Sequence, residues 1–416
     1  MSAREPADAV PAPAGLAMDT PAGEGAIPAR LIVCLGLAQI VAWGTMHYLV
    51  SVFGPAMQAE LGWSPGFVYG GFSCALAVMG LASVRVGRWI DARGGRAAMM
   101  TGCGLGAAGC VVLAAAHHGF VYYLGWVLLG LGMRLALYDA AFAALAHLGG
   151  SGSRQAMSQV TLFGGLSSTL FWPLGQWMDH AWGWRAALLA YALLLAASSL
   201  LHLALPRGRR AAAAGTGRAV ADPPPAAARM DVMLYGCIAT LVLFLQTGMS
   251  AHLPGILRGL GWAPAAAVTL STLFGIGQVA GRVGIALAGN RIGVLAVNLI
   301  PCALLCLCFA AALAAGASLP GAAAFTLLYG AGNGMATIMR GAIPLVLFDT
   351  RQYGRIVGGV LRPAFMLCAT APVAFALAID SLGYPGMLAV TLVLAGILLA
   401  AALVLHHRHR PKEIQP

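Results

Sequence analysis

Charged side chains are scarce in this sequence. Of its 416 residues, 9% are Asp, Glu, Lys or Arg, whereas 60% are hydrophobic. Soluble domains carry about 25% charged residues, so this composition excludes an ordinary soluble domain and indicates a membrane protein. Acidic residues are the scarcer sign, and the net charge is +11. The basic residues lie in short gaps between apolar runs, without the basic face or interleaved aromatics of a nucleic-acid-binding protein, so we expect no nucleic-acid partner.

Catalytic and cofactor-binding patterns are also missing. No nucleophile accompanies a candidate base and no G-x-x-x-x-G-K loop is present, which argues against an enzyme and against an ATP-driven pump. All nine cysteines lie within apolar stretches, and no nearby histidine completes a site with the tightest group, Cys302, Cys306 and Cys308. We therefore expect the cysteines to be small buried hydrophobic residues, and we expect neither a metal nor another cofactor.

What the sequence does contain is a series of long apolar segments. A helix needs about 20 apolar residues to cross the hydrocarbon core of a bilayer. Twelve segments reach that length, and we number them as spans one to twelve: 31–54, 66–86, 97–116, 119–146, 157–178, 184–205, 232–254, 265–288, 293–315, 321–348, 356–379 and 384–405. A polar linker, 206–230, separates the first six from the last six. The prediction is an all-α membrane protein with six-helix bundles over 30–205 and 231–405.

Arginine placement predicts the orientation of the chain. Cytoplasmic gaps collect basic residues, and with the N-terminus inside, only Arg185 and Arg258 fall on the outer side. Both termini are therefore expected to be cytoplasmic, in a multi-pass protein of the cell inner membrane. Residues 1–29, rich in Ala and Pro and without the basic start of a secretory signal, are expected to form a disordered cytoplasmic tail. Residues 406–416 form a basic cytoplasmic tail. The inner-side residues are Arg85, Arg88, Arg93, Arg96, Arg154, Arg207, Arg209, Arg210, Arg218, Arg229, Arg291, Arg351 and Arg355.

The two halves repeat one another with an offset near 200 residues. LGWSP at 61–65 returns as LGWAP at 260–264. Gly130, Gly132 and Met133 in span four correspond to Gly332, Gly334 and Met335 in span ten, and Pro173 and Asp179 correspond to Pro372 and Asp380. A parallel repeat of six-helix bundles predicts a substrate site between the halves, near the middle of the membrane.

The stretch after span two resembles a motif of the major facilitator superfamily. GRWIDARGGR, residues 87–96, is similar to the G-x-x-x-D-R-x-G-R-R loop of that family, with Gly87, Asp91 and Arg96 in matching places. It departs from the motif at Ala92, where an arginine is usual, and Arg93 follows one place late. The resemblance implies a cytoplasmic latch, in which Asp91 caps a neighbouring helix and pairs with arginine in one transport state. A solvated loop that anchors the orientation would carry the same arginines, and both interpretations stay open.

Span eight contains an arginine well inside an apolar segment. Gln278 and Arg282 are four residues apart and share one helix face with Ser271 and Gly275, which makes a narrow polar seam on an apolar helix. Gly275, Gly277 and Gly281 predict thin surroundings, so that the guanidinium projects into a central cavity. Arginine suits a carboxylate because its planar fork donates two parallel hydrogen bonds. The alternative is that Arg282 extends toward the inner interface.

Span eight also resembles that of the monocarboxylate transporters and of the oxalate/formate antiporter branch. In those carriers an arginine in this helix, followed eight residues later by Asn (here Asn290), contacts the substrate anion; the resemblance assigns that role to Arg282. Monocarboxylate carriers commonly have Asp one turn earlier, where this chain has Gln278, and a lysine in span one, where this chain has none. His47 and His252 are the nearest protonatable substitutes, although a hydrogen-bonded histidine at a helix end is the more ordinary role.

Further polar residues within the spans complete the candidate site. Arg362, followed by Pro363, is a candidate second anion contact. Asn333, Thr337 and Arg340 form another one-faced stripe, which anchoring at the inner interface also explains. Arg134 lies five residues before Asp139, about 140° away around a helix, so we expect the two to pair with different partners. Tyr138 shares the face of Arg134 and extends the site.

We interpret the chain as a secondary transporter of a small organic anion, a mono- or dicarboxylate, that acts by alternating access and as a monomer. The predicted substrate-binding residues are Arg282, Gln278, Arg362, Arg134, Tyr138, Asn333 and His47, and the predicted gate residues are Gly87, Asp91, Arg93 and Arg96. Protons or a counter-anion would be the coupling partner, with exchange favoured because span eight lacks the acid. The alternative is proton-driven efflux of hydrophobic or cationic compounds with Asp139 as the coupling acid. A membrane sensor is disfavoured because no soluble signalling domain is present.

Overall fold

The computed structural model describes residues 27–149, 153–206, 226–288, 293–348, 360 and 363–409. Most of the expected N-terminal tail and linker and the end of the C-terminal tail lie outside the described residues. Every regular element in the described part is helical. In chain order we label α1 Ala29–Ala42, α2 Leu49–Leu61, α3 Pro65–Arg93, α4 Gly95–Ala114, α5 Gly119–Ala136, α6 Tyr138–Gly149, α7 Ser153–Gly165, α8 Ser167–Ser198, α9 Ala226–Gly259, α10 Pro264–Ala288, α11 Val294–Val297, α12 Leu299–Ala315, α13 Leu319–Leu347 and α14 Ala371–Arg408. A π-helical turn, Trp43–His47, lies between α1 and α2, and a 3-10 helix, Ser199–Ala204, follows α8.

Twelve membrane crossings account for these helices. Nine stretches in the described part of the chain are long and apolar enough to cross a membrane. Two of them, Gln155–Ala204 and Pro363–Arg408, hold two crossings each, because a glycine with non-helical backbone interrupts each one. The less apolar α13, with 29 residues, supplies the remaining crossing. The predicted twelve-helix, two-bundle fold is confirmed.

The repeated sequences occupy equivalent turns in the two halves. Gly62, after α2, has φ 68°, and Gly261, after α9, has φ 99°, and each is followed by a helix that begins at a proline. The interrupting glycines, Gly183 and Gly383, have φ 78° and 70°. Positive φ is readily available to glycine and costly for other residues, so these residues fix the turns of both bundles in the same way.

The motif that resembles a loop is mostly helical. Helix α3 continues through Arg93, Gly94 turns the chain with φ 83°, and α4 begins at Gly95. The expectation of a loop over 87–96 was therefore wrong. The turn needs only one of the two adjacent glycines: Gly94, with positive φ, reverses the chain, and Gly95 already belongs to α4. Gly87, Asp91 and Arg93 lie in the last turns of α3 and Arg96 lies in the first turn of α4; the side chains of Asp91 and Arg93 are outside the described set.

The two halves meet through several helix pairs: α10 packs against α7 and α8, α2 against α9, and α3 against α14. We call the face where α1 begins and α14 ends the tail side, and the opposite face the far side. Residues toward the far side pack tightly between the halves. The Tyr69 and His252 rings are in contact, tilted by 38° with 4.0 Å between centroids, and the Thr169 hydroxyl donates to the carbonyl of Thr272 at 2.8 Å.

Candidate functional site

A cavity of about 110 Å³ lies between the halves, toward the tail side of the Tyr69–His252 contact. Both bundles contribute side chains to its wall, as the repeat predicts for a transport site. Its charged members are Asp139, Arg282 and Arg340. The other residues in its wall are Trp43, His47, Leu76, Met79, Leu137, Tyr138, Leu243, Gln246, Thr247, Thr337, Phe365 and Cys368.

Arg282 lines this cavity and is 5% exposed. Its Nη1 donates to the carbonyl oxygen of Thr161 in the other half, which also accepts a hydrogen bond from the Tyr138 hydroxyl at 3.2 Å. Its Nε is buried without a hydrogen-bond partner. Among the described residues no carboxylate pairs with Arg282. Burying a cation is costly unless it is paired, so the side chain is a charged group whose partner set is incomplete. It does not extend to the interface.

The polar seam of α10 faces the other half of the molecule. A Cβ on Gly165 of α7 would lie 3.5 Å from Oε1 of Gln278 and 2.7 Å from Nη1 of Arg282, so both side chains cover that glycine. Gly275, on the same face, lies against Ser168 and Thr169 of α8. Gln278, 4% exposed, lies beside Arg282 but not in the cavity wall.

The glycines of α10 lie against a neighbouring helix. A Cβ on Gly277 or Gly281 would collide with the backbone of α13 near Leu327 and Ala331. Gly330 and Gly334 of α13 lie equally close to the backbone of α10. These glycines allow two helices to approach closely, which is the role that the G-x-x-x-G spacing of Gly277 and Gly281 predicts. The expectation that they leave thin surroundings around Arg282 was wrong.

His47 joins the two halves at the edge of the cavity. Its Nε2 lies 3.1 Å from the Ser250 hydroxyl, which donates its own proton to the carbonyl of Thr247. The hydroxyl must therefore accept from His47, and Nε2 carries a hydrogen. His252 similarly donates from Nε2 to the carbonyl of Pro372 at 2.9 Å. Both histidines are hydrogen-bonded within the helix bundle, the more ordinary of the two roles expected for them.

Arg134 and Asp139 form an ion pair, contrary to expectation. Nη1 of Arg134 lies 3.4 Å from Oδ2 of Asp139, and Nε donates to the Ser83 hydroxyl at 2.8 Å. The 140° argument assumed one continuous helix, but α5 ends at Ala136, Leu137 is extended, and α6 begins at Tyr138. Arg134 lies behind Asp139, so the carboxylate of Asp139 lines the cavity and the guanidinium does not. Tyr138 does line it.

Only part of the polar stripe formed by Asn333, Thr337 and Arg340 lines the cavity. Thr337 and Arg340 line the wall, whereas Asn333, 2% exposed, does not, and its Nδ2 is buried without a partner. Arg362 and Asn290 lie outside the described residues. Their assignment to the site stays a prediction.

The wall residues that had no part in the predicted site include Trp43, Gln246 and Thr247. Gln246 and Thr247 interrupt the apolar run LVLFLQTGMS of α9, the same kind of polar break that marked Gln278, and this signal would have found them. Trp43 begins the π-helical turn, and its Nε1 is buried without an acceptor. π-Turns often occur at functional sites.

A model of the Major Facilitator Superfamily matches residues 35–360. The chain belongs to that superfamily. Solved transporters share its fold: a point mutant of the nucleoside transporter NupG superposes with a TM-score of 0.70 at 14% identity, covering 92% of this chain and 99% of that one. A bacterial homolog of the human lysosomal transporter Spinster, in an inward-facing and occupied conformation, gives 0.69 at 13% identity, covering 92% and 98%. The comparison with curated sequences gives no significant match. The family and the fold identify a multi-pass membrane transporter.

Proposed function

We propose that the chain carries a small organic anion, a mono- or dicarboxylate, across the cell inner membrane by alternating access, with both termini in the cytoplasm. The observation that carries the proposal is the state of Arg282: a buried guanidinium in the wall of a cavity between the halves, with no carboxylate partner among the described residues and a free Nε donor. A passenger carboxylate would complete its hydrogen bonds, and the low dielectric of the site strengthens them.

The location of Arg282 supports a transport role. It contacts Thr161 of the other half, so a ligand that binds the guanidinium competes with or adds to a contact between halves. A second arginine, Arg340, lines the same cavity, and Asp139, the one acid among the described residues of its wall, is already paired with Arg134. The field in the cavity therefore favours an anion.

Exchange or uniport fits this site better than proton symport. The residue one turn before Arg282 is Gln278, which does not titrate, and the Nε2 proton of His47 is held by Ser250. We propose that an anion on the opposite side, or no coupling ion, accompanies the passenger. The similarity of α10 to the corresponding helix of monocarboxylate carriers and oxalate/formate antiporters supports the same assignment of Arg282.

Uptake into proteoliposomes tests this proposal. Labelled acetate, lactate and succinate are offered to wild type, Arg282→Gln, Arg282→Lys and the control Arg30→Gln, which removes an exposed arginine at the start of α1. We expect Arg282→Gln to abolish uptake, Arg282→Lys to retain a small part, since it keeps the charge and loses the fork, and the control to match wild type. Unchanged uptake in Arg282→Gln would refute the proposal.

Proton-driven efflux of lipophilic cations is the second candidate, because the carboxylate of Asp139 lines the cavity and is 47% exposed. Two cavity arginines oppose it by repelling a cation. If Asp139→Asn abolishes efflux of a lipophilic cation while carboxylate uptake is absent in wild type, this function replaces the first.

A further inference from the structure

A second cavity, of about 420 Å³, lies on the far side of the Tyr69–His252 contact. Pro55, Gln58 and Tyr69 from the first half line it together with His252, Arg258 and Asp380 from the second. Because both halves form its wall, a passenger moving between the halves has to pass through it. We call it the vestibule.

The two far-side arginines differ in their surroundings. Arg185 is fully engaged: it donates to Glu60 Oε1 at 2.8 Å and to the carbonyls of Ala114 and Ala116 at 2.5 and 2.9 Å. Glu60 also accepts from Trp184 Nε1 at 2.5 Å. This network links α2, α8 and the end of α4 on the far side of the first half.

The second half lacks that network. By the repeat, Gly259 occupies the place of Glu60 and Tyr384 the place of Trp184, and in the structure Gly259 packs directly against the Tyr384 ring. No acid replaces Glu60 there, and within the described ranges Arg258 forms no ion pair. Arg258 is an exposed residue and lines the vestibule. By the same repeat Arg185 corresponds to Pro385 and Arg258 to Ala59, so Arg258 is a cation that the first half does not have.

Asp380 lines the vestibule as well and forms no ion pair with Arg258. A passenger there meets one positive and one negative group. A single carboxylate can bind the arginine, whereas a second carboxylate would meet repulsion from the aspartate.

We propose that the vestibule is a second binding site, in which Arg258 holds the carboxylate of a singly charged organic anion before it passes the Tyr69–His252 contact, and Asp380 excludes dicarboxylates. This inference rests on the proposed function for the identity of the passenger as a carboxylate. It adds a site, a far-side location and a charge preference that the central cavity does not supply.

The test measures initial rates with labelled lactate and succinate presented to each face of the membrane, in intact cells and in inside-out vesicles. For Arg258→Gln we expect the KM for lactate to rise about threefold to tenfold from the face that meets the vestibule and to stay unchanged from the other. Arg258→Lys, which keeps the charge, should give a smaller one-sided rise. Asp380→Asn should lower the KM for succinate relative to lactate from the same face.

Arg30→Gln is the control, because it removes an exposed positive charge outside the vestibule; its KM values should equal those of wild type, with expression and thermal stability checked for every variant. A KM for Arg258→Gln that is unchanged from both faces, or raised equally from both, overturns the proposal. An unchanged KM for succinate relative to lactate in Asp380→Asn also overturns the proposal. The Arg282→Gln variant distinguishes the vestibule proposal from the proposed function. Its loss of transport from both faces tests the proposed function alone, whereas a one-sided rise in KM for Arg258→Gln tests the vestibule.

Discussion

Nη1 of Arg134 lies 3.4 Å from Oδ2 of Asp139, across the helix break at Leu137. The break lets a carboxylate in the first turn of α6 lie over a guanidinium in the last turn of α5. Arg134 is 13% exposed, whereas Asp139, 47% exposed, opens onto the central cavity. The pair therefore places an acid in the cavity wall while its charge is offset from behind.

Removing one member of this pair should be worse than removing both. Asp139→Asn leaves Arg134 as an unpaired, nearly buried cation. Because the acid is 47% exposed, we expect a loss of stability smaller than the about 3–5 kcal/mol of a fully buried pair. Arg134→Gln combined with Asp139→Asn should recover part of that loss. Thermal unfolding of the purified single and double variants measures the coupling; strictly additive effects would show that the two residues do not interact.

The contact between α10 and α13 should require glycine at residue 281 but not at residue 284, one turn later. A Cβ at residue 281 would collide with the backbone of Ala331, which cannot move aside without separating the helices, whereas a Cβ at residue 284 meets nothing within 4 Å. We expect Gly281→Ala to lower the melting temperature and transport rate. Gly284→Ala, the matched control, should be neutral or slightly stabilising because alanine favours the helix by about 1 kcal/mol. Equal behaviour of the two variants would contradict the packing described for these helices.

The glycines that separate paired crossings should resist substitution. Gly183 has φ 78° and ψ 158°, and Gly383 has φ 70° and ψ 177°, a region that is essentially restricted to glycine. Alanine at either position should destabilise the protein by about 1–3 kcal/mol. Gly104→Ala, in a helix with open space around it, is the control. Melting temperatures in detergent compare the three, and a Gly183 variant as stable as the Gly104 variant would show that this turn is not strained.

Much of the fold follows from the sequence because the membrane imposes a simple rule. Each crossing needs a long apolar run, and the LGWSP and LGWAP repeats mark equivalent turns through Gly62 and Gly261. The shared face of Arg282 and Gln278 follows from helical spacing alone, whereas the sequence leaves open whether Arg282 is buried or extends to the inner interface. These features are local, and local patterns are what a sequence displays directly.

The remaining features depend on contacts between distant segments. Neither glycine nor proline marks the break at Leu137, so the sequence does not predict the pairing of Arg134 with Asp139. The G-x-x-x-G spacing of Gly277 and Gly281 predicts close helix packing, but it does not show that the partner is α13, a helix dozens of residues later. His47 is bonded to Ser250, in the other half, which no spacing rule connects. The cavity wall is therefore less predictable than the helices that carry it.

The central claim is that Arg282 binds a carboxylate. Its most direct test is ligand-induced stabilisation of the purified protein, in which acetate, lactate and succinate are each compared with the corresponding uncharged primary amide. A ligand that binds the folded state raises the melting temperature with its concentration. We predict that at least one carboxylate, and none of the amides, stabilises wild type and the Arg30→Gln control, and that neither class stabilises Arg282→Gln. Equal stabilisation of wild type and Arg282→Gln by the same carboxylate would contradict the account.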